Sequence, residues 1–350
     1  MRLVAILALI AVALGPGARA EETVPEAQTY FVYDFAFESG QALPELRIAY
    51  DTRGVLSPAR DNAILLVHGT TGDRHSFDPL IGPGKPFDTD RYFVIAADCI
   101  GGGDSSAPKD ELGQDFPRYT VRDMMDAQYA LVTRGLGLER LRAVAGFSMG
   151  AFVALEWGVH HPETVQALIL LAPSPKTEPD LQLTVDLMTS VVALDPEWQG
   201  GRYAHNPVEG LRHAAMVYYP WTVSAPYLDR IPPQRMAQEL EDAASGFGDW
   251  DANSLVWRLA ATRGHDIAAP FGGDMKAALS RIVAPSLILA SASDRLLGID
   301  GARRIRDGIG HPSYAEIPSD LGHSAARPAS DTPEAEFIGA RVRAFLSGLK

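Results

Sequence analysis

The run Gly146-Phe147-Ser148-Met149-Gly150 constrains this chain more than any other five residues. Its form is G-x-S-x-G. Residues 141–145 before it read as a short strand, and residues 151–157 after it as a helix. A turn that tight between strand and helix leaves room only for small flanking residues. It holds the serine Oγ above the sheet, at the N-terminus of the helix. The backbone N–H of Met149 then points to where an oxyanion forms. Five residues of this form arise by chance in many chains, and the strand–turn–helix context is what identifies a nucleophile elbow. Ser148 is the expected nucleophile.

The rest of the chain supplies the sheet such an elbow needs. Residues 62–67 and 92–97 are continuous apolar runs, the mark of strands buried on both faces. Thr120 with Asp123 three residues on predicts a capped helix through about Gly135. Residues 165–171 give a further buried strand, and residues 30–37 with 46–50 an antiparallel edge hairpin. From residue 176 to 280 no parallel strand is apparent. Trp, Tyr and Pro clusters and amphipathic stretches at 208–217, 234–244 and 252–262 predict a helical insertion. Strands resume at 286–290 and 314–317, with final helices at 302–308 and 334–349. The expected fold is α/β, a doubly wound, mostly parallel sheet with a helical cap inserted over its C-terminal edge. The core is assigned to 21–175 and 281–350, and the cap to 176–280.

Residues 1–20 read as a signal peptide. Arg2 precedes the apolar run 3–14, then come Gly15-Pro16-Gly17 and the small-residue site Ala18-Arg19-Ala20. The run is too short to span a bilayer as a helix. Cleavage after Ala20 and a periplasmic or secreted mature chain are expected. The 31 basic and 44 acidic residues give a net charge of −13. Loss of Arg2 and Arg19 makes the mature chain more acidic still. Such a surface argues against nucleic-acid and anionic-membrane partners. Cys99 is the single cysteine, so no intramolecular disulfide forms, and its place after a strand predicts a buried structural thiol. No Cys/His cluster has zinc spacing and no Asp-rich calcium loop occurs. Neither a metal nor a cofactor is expected.

An elbow serine needs a base, an orienting acid and a second oxyanion donor. In this arrangement the chain order is Ser, acid, His. Asp294 follows the strand at 286–290, where the acid belongs. His323 sits in the loop after the last strand, where the base belongs. The base takes the Ser148 proton, and the acid fixes its tautomer. Asp320 shares the histidine's loop and Asp98 precedes the nucleophile, so both are weaker candidates for the acid. His265 and His311 lack the glycine-flanked loop after a strand. His68-Gly69-Thr70-Thr71-Gly72 follows the first buried strand and lets the backbone approach an acyl oxygen. The Thr70 N–H is assigned as partner to that of Met149, with Thr71 one residue away as the alternative and His68 as a brace.

These residues resemble the homoserine O-acetyltransferase group of α/β hydrolases. The likeness is carried by Asp61-Asn62-Ala63-Ile64-Leu65-Leu66-Val67-His68, by Thr71-Gly72-Asp73-Arg74-His75, and by Ile81-Gly82-Pro83-Gly84-Lys85-Pro86-Phe87-Asp88-Thr89. It continues through Phe116-Pro117-Arg118-Tyr119-Thr120-Val121-Arg122-Asp123, Ser148-Met149-Gly150-Ala151 and Leu155-Glu156-Trp157. In the expected cap it includes Asp195-Pro196-Glu197-Trp198, Gly201-Arg202-Tyr203 and Asp251-Ala252-Asn253-Ser254. The resemblance implies the α/β-hydrolase fold, the triad Ser148, Asp294 and His323, a deep acyl-binding tunnel under the cap, and a homodimer through the cap. Three departures stand against a simple transfer of activity. Acetyltransferases of this group carry an aspartate right after the catalytic histidine to hold the substrate amine, whereas His323 is followed by Ser324-Ala325-Ala326. The second glycine after S-M-G is Ala151, and the asparagine after the second buried strand is Asp98.

The leader and the missing aspartate favour an exported hydrolase of a small ester, acting through a Ser148 acyl-enzyme. An O-acetyltransferase using a CoA thioester and a hydroxyl acceptor such as homoserine is the alternative. A catalytically inactive binding protein is the third reading. Trp198, Tyr203, Tyr218, Tyr219, Trp221, Trp250 and Trp257 are candidates either to line the pocket or to form the core of the cap.

Overall fold

The computed structural model describes residues 27–110 and 112–349. The expected signal peptide and its cleavage site lie outside the described residues.

Strands β1 (Gln28–Ala36) and β2 (Ala42–Arg53) form the antiparallel hairpin at one edge of an eight-stranded sheet. β2 also pairs antiparallel with β4 (Phe93–Ala97). Beyond it, β3 (Ala63–Val67), β5 (Ala143–Phe147), β6 (Leu168–Leu171), β7 (Ser286–Ala290) and β8 (Pro312–Glu316) continue in parallel, in the order β1-β2-β4-β3-β5-β6-β7-β8. Every residue of β3, β6 and β7 is buried, because helices cover both faces of the sheet. This is the α/β-hydrolase architecture.

Helix α1 (Val121–Ala130) opens on the expected capping box, with the Thr120 hydroxyl accepting from the Asp123 N–H and the Asp123 carboxylate accepting from the Thr120 N–H. It runs on as a wider turn through Gly135. α2 (Met149–His160) is buried at every position but His160, so it lies inside the molecule rather than on it. Between β6 and β7 come α3 (Pro179–Ala193), α4 (Val208–Thr222), α5 (Ala225–Asp229), α6 (Pro233–Ser245), α7 (Ala252–Arg263) and α8 (Met275–Ser280). α9 (Asp300–Gly308) and α10 (Pro333–Gly348) complete the chain.

Several elements differ from expectation, among them the strand expected at 165–171, which is confined to Leu168–Leu171. The strand expected at 141–145 runs instead over Ala143–Phe147, because Val144 to Phe147 pair with all four residues of β6 while Leu141 makes only a bridge to Val165. β5 therefore feeds straight into the elbow. The short helices α5 and α8 have no counterpart among the expected helices, and neither does α3. Its buried residues Leu181, Thr184, Val185, Met188 and Val192 recur at helical spacing, but Leu183 and Leu187 stand exposed on its other side, and Leu194 just past its end, and blur the period.

Candidate active site

Ser148 sits at the junction of β5 and α2 with φ 56° and ψ −120°, a conformation that costs a residue with a side chain about 1–3 kcal/mol. Its neighbours explain why the turn tolerates only glycine on either side. A Cβ at Gly146 would overlap the Gly150 carbonyl, and one at Gly150 would overlap the Val67 carbonyl. The serine is tied down by its own N–H donating to Leu171 O at 2.9 Å, and its C=O accepts from Ala151 N–H at 2.8 Å.

The loops after β7 and β8 bring the other two residues to it. Asp294 Oδ1 accepts the N–H groups of Leu296 and Leu297 at 2.8 and 3.1 Å, which leaves Oδ2 to face His323 Nδ1 at 2.7 Å. His323 Nε2 lies 2.9 Å from Ser148 Oγ. With Nδ1–H donating to the carboxylate, Nε2 is free to accept the serine proton. All three residues are buried. The Phe147 ring lies 5.2 Å from the imidazole and backs it. Ser293 Oγ donates to Ser319 O at 2.9 Å and accepts the Gly322 N–H at 3.1 Å, which clips the acid loop to the histidine loop. Nothing in the sequence pattern singles out Ser293 or Ser319, since a serine in a loop carries no signal until its partner loop is known.

The weaker candidates are engaged elsewhere. Asp320 forms a bidentate pair with Arg230 at the surface. Asp98 accepts from the backbone and guanidinium of Arg74 at 2.7 and 2.6 Å. His265 stacks on Phe152 and faces Glu156, and His311 is exposed. His68 Nε2 accepts the Cys99 N–H at 3.0 Å, so Nδ1 carries the proton and donates to Gly69 O at 2.8 Å. Burial, and then the nearby Arg258 cation, push the His68 pKa down to about 4, so the ring stays neutral in this role. Cys99 is buried, and burial pushes its thiol up to about 12, which keeps it unreactive.

The backbone N–H groups of Met149, Thr70 and Thr71 have no acceptor among the described residues. Thr70 is buried and Thr71 exposed, and both line the same cavity as Ser148 and His323. That cavity holds about 560 Å³ between the sheet and helices α4 and α6. Of the seven aromatic candidates, Tyr218 and Tyr219 line it, joined by Tyr227 and Phe247. Trp198 and Tyr203 pack on each other, the Trp257 indole N–H donates to Phe116 O at 3.0 Å, and Trp221 stacks under Arg295. Trp250 lines a neighbouring cavity of about 220 Å³ that shares Thr71, Gly72 and Gly246 with the first. The Asp and Arg side chains along the main cavity, Asp242 and Arg327, are both exposed.

Residues 62–326 match the family described as alpha/beta hydrolase fold. A homoserine O-acetyltransferase of Leifsonia xyli subsp. xyli is 34% identical over 88% of this chain and 86% of its own length. The chain belongs to the homoserine O-acetyltransferase-like family of α/β hydrolases. A second member, a homoserine O-succinyltransferase of Aromatoleum aromaticum, is 32% identical over 86% of this chain and 92% of its own length. In three dimensions this homoserine O-acetyltransferase-like chain is similar to homoserine O-acetyltransferase from Bacillus anthracis, with a TM-score of 0.83 at 26% identity over 92% of this chain and 97% of that one. It is also similar to the acetyl esterase MekB, with a TM-score of 0.87 over 93% of this chain and 97% of that one. At 24% identity that second likeness speaks for the shared fold alone.

Proposed function

We propose that this family member is a serine esterase that hydrolyses a small, uncharged ester. Ser148 Oγ attacks the ester carbonyl as His323 Nε2 takes its proton, and the N–H groups of Met149 and the Thr70–Thr71 segment hold the oxyanion. His323 returns the proton to the departing alkoxide, leaving an acyl-Ser148. Water, losing a proton to His323, attacks that acyl group; His323 then gives the proton to the departing Ser148 Oγ, which releases the carboxylic acid and restores the free enzyme. Asp294 holds the imidazole tautomer through both halves.

One observation carries water rather than an amino acid as the acceptor. The Ser148–His323–Asp294 relay opens onto a cavity whose charged lining residues, Asp242 and Arg327, are both exposed side chains, so no buried carboxylate outside the relay faces it. A homoserine zwitterion needs a carboxylate for its ammonium group, since burying an unpaired charge is strongly unfavourable. Asp294 is engaged by His323 and two N–H groups, and Ser324, which follows His323, donates its hydroxyl to Thr222 O at 3.2 Å. With this reading go export of the mature chain and a homodimer through the cap, where Leu183 and Leu187 of α3 stand exposed.

A second reading has its own support. The names of the 31–34% identical relatives speak for acyl transfer to homoserine more strongly than for hydrolysis. Purified protein should be given short-chain nitrophenyl esters, and separately acetyl-CoA with and without homoserine, each beside Ser148→Ala. Steady ester turnover lost in the variant, with thiol release indifferent to homoserine, is the expected result. Thiol release that rises with homoserine, over a stoichiometric ester burst, would replace hydrolysis by transfer.

A further inference from the structure

Arg258 lies within α7, fully buried, with no carboxylate paired to it among the described residues. A buried cation without a counter-charge is a costly thing to keep. Its guanidinium does a specific job instead. Nη1 donates to Thr70 O at 2.9 Å and to Gly72 O at 3.0 Å, while Nε and Nη2 make no hydrogen bond of normal geometry among the described residues, with the buried Tyr119 hydroxyl beside the group. The group is wedged in place. The Trp250 ring centroid lies 5.0 Å from its central carbon, and Gly102 approaches so closely that a Cβ there would collide with Nη2.

The two carbonyls it holds belong to the loop whose N–H groups face the acyl oxygen in the reading above. A trans peptide is planar and its C=O and N–H point in opposite directions. Holding Thr70 C=O inward therefore turns the Thr71 N–H outward, on the side where Thr71 lines the cavity. The preceding peptide is fixed separately: Gly69 O accepts from His68 Nδ1 and from the Gly72 N–H at 3.1 Å, which sets the Thr70 N–H. The loop thus has one clamp from the sheet side and another from the inserted helices. The second reaches across more than 180 residues of sequence, from α7 to the loop after β3.

We propose that Arg258 is a positioning residue for the oxyanion site: it keeps the Thr70–Thr71 peptide from flipping its carbonyl into the cavity, and so ties the readiness of the site to the seating of α7. The inference rests on the acyl-enzyme reading and adds a residue that touches no reacting atom. It also predicts that Gly102 matters only through Arg258.

The test compares wild type with Arg258→Met, Arg258→Lys, Gly102→Ala and the Arg258→Met/Gly102→Ala double variant. Each is measured for ester kcat and KM, for inhibition by a short alkylboronic acid that forms a tetrahedral adduct on Ser148, and for Tm. Arg258→Met should lower kcat by about 10- to 100-fold with KM within about 3-fold, and should raise the boronate inhibition constant by a similar factor, as expected for a weakened oxyanion site. Arg258→Lys should recover most of both. Gly102→Ala should lower kcat in the wild-type background and add nothing to Arg258→Met. A merely structural arginine would lower Tm in Arg258→Met yet leave kcat and boronate affinity of the folded protein within about 3-fold, and that result overturns the proposal. If Arg258→Met does not fold, Gly102→Ala decides the matter by the same readouts. Failure of the underlying reading looks different: Ser148→Ala stays active, or wild type binds no boronate.

Discussion

The floor and the roof of the cavity are built on different terms. On the floor, the elbow serine is held at positive φ between two glycines that admit no Cβ, beside a strand, β3, with every residue buried. The roof helix α6 buries Ala244 alone and rests on α4, which itself carries Pro220 within its last turn. The floor's polar atoms are matched one to one: Asp294 with His323 and two N–H groups, His323 with Ser148. The roof offers the cavity aromatic faces, from Tyr218, Tyr219 and Phe247. The serine–histidine–aspartate geometry thus rests on the most sterically constrained backbone of the cavity, and the aromatic faces on helices that bury little.

Substitutions on both sides can break or sharpen that contrast. Ser148→Ala should cost at least about 10³-fold in kcat with circular dichroism unchanged, because the nucleophile is lost and the fold is not. Asp294→Asn should cost about 10³- to 10⁴-fold: the amide oxygen goes on accepting from Leu296 and Leu297, so its NH₂ faces Nδ1 and imposes the wrong tautomer. A pair of glycine changes separates floor from roof by stability. Gly150→Ala drives a Cβ into the Val67 backbone and should destabilise by about 3 kcal/mol or more, while Gly246→Ala, whose Cβ has Ala243 O at 3.4 Å as its nearest neighbour, should change stability in denaturant by less than about 1 kcal/mol. Equal effects would erase the distinction. Phe247→Ala should change the butyrate-to-acetate ratio of kcat/KM about 3- to 10-fold, with fluorophosphonate labelling of Ser148 intact.

The smallest effect lies far from the site, on α1. Partial burial pushes the Asp126 carboxyl up to about 6, against the pull of Arg122. A carboxyl with a raised folded-state pKa contributes its stability fully below the unfolded value near 4, and loses it as pH rises through 6. Asp126→Asn should therefore gain Tm over wild type at about pH 7 to 8 and match it at about pH 4. A Tm difference that does not vary with pH would exclude this origin.

The centre of the parallel core was legible because β3, β4, β5, β6 and β7 are short runs dominated by Val, Ile, Leu and Ala, whereas the edge strand β8, Pro-Ser-Tyr-Ala-Glu, carries no such signal. A candidate residue that directly follows such a run is placed by the strand itself, as Ser148 is, while Asp294 and His323 lie four and seven residues beyond the ends of β7 and β8 in loops that the chain order alone pointed to. α3 was not legible, because its β-branched residues and its exposed leucines mimic the composition of a strand without its alternation. The clamp from Arg258 was invisible for a different reason. An arginine in a predicted helix reads as surface, and only the packed structure shows it spent on two carbonyls distant in sequence. The aromatic cluster between residues 198 and 257 divided between pocket and packing for reasons that no local pattern records.

The pairing of β6 with β7, from Leu168 opposite Ser286 to Leu171 opposite Leu289, has a kinetic consequence. These neighbouring strands cannot meet until the whole inserted helical segment has been looped out, and closing so long a loop costs entropy before any sheet contact repays it. Asp294 and His323 both lie beyond that step. During refolding from denaturant, helical signal from α1 and α2 should therefore return ahead of ester turnover, and regain of activity becomes a clock for the last long-range pairing in the chain.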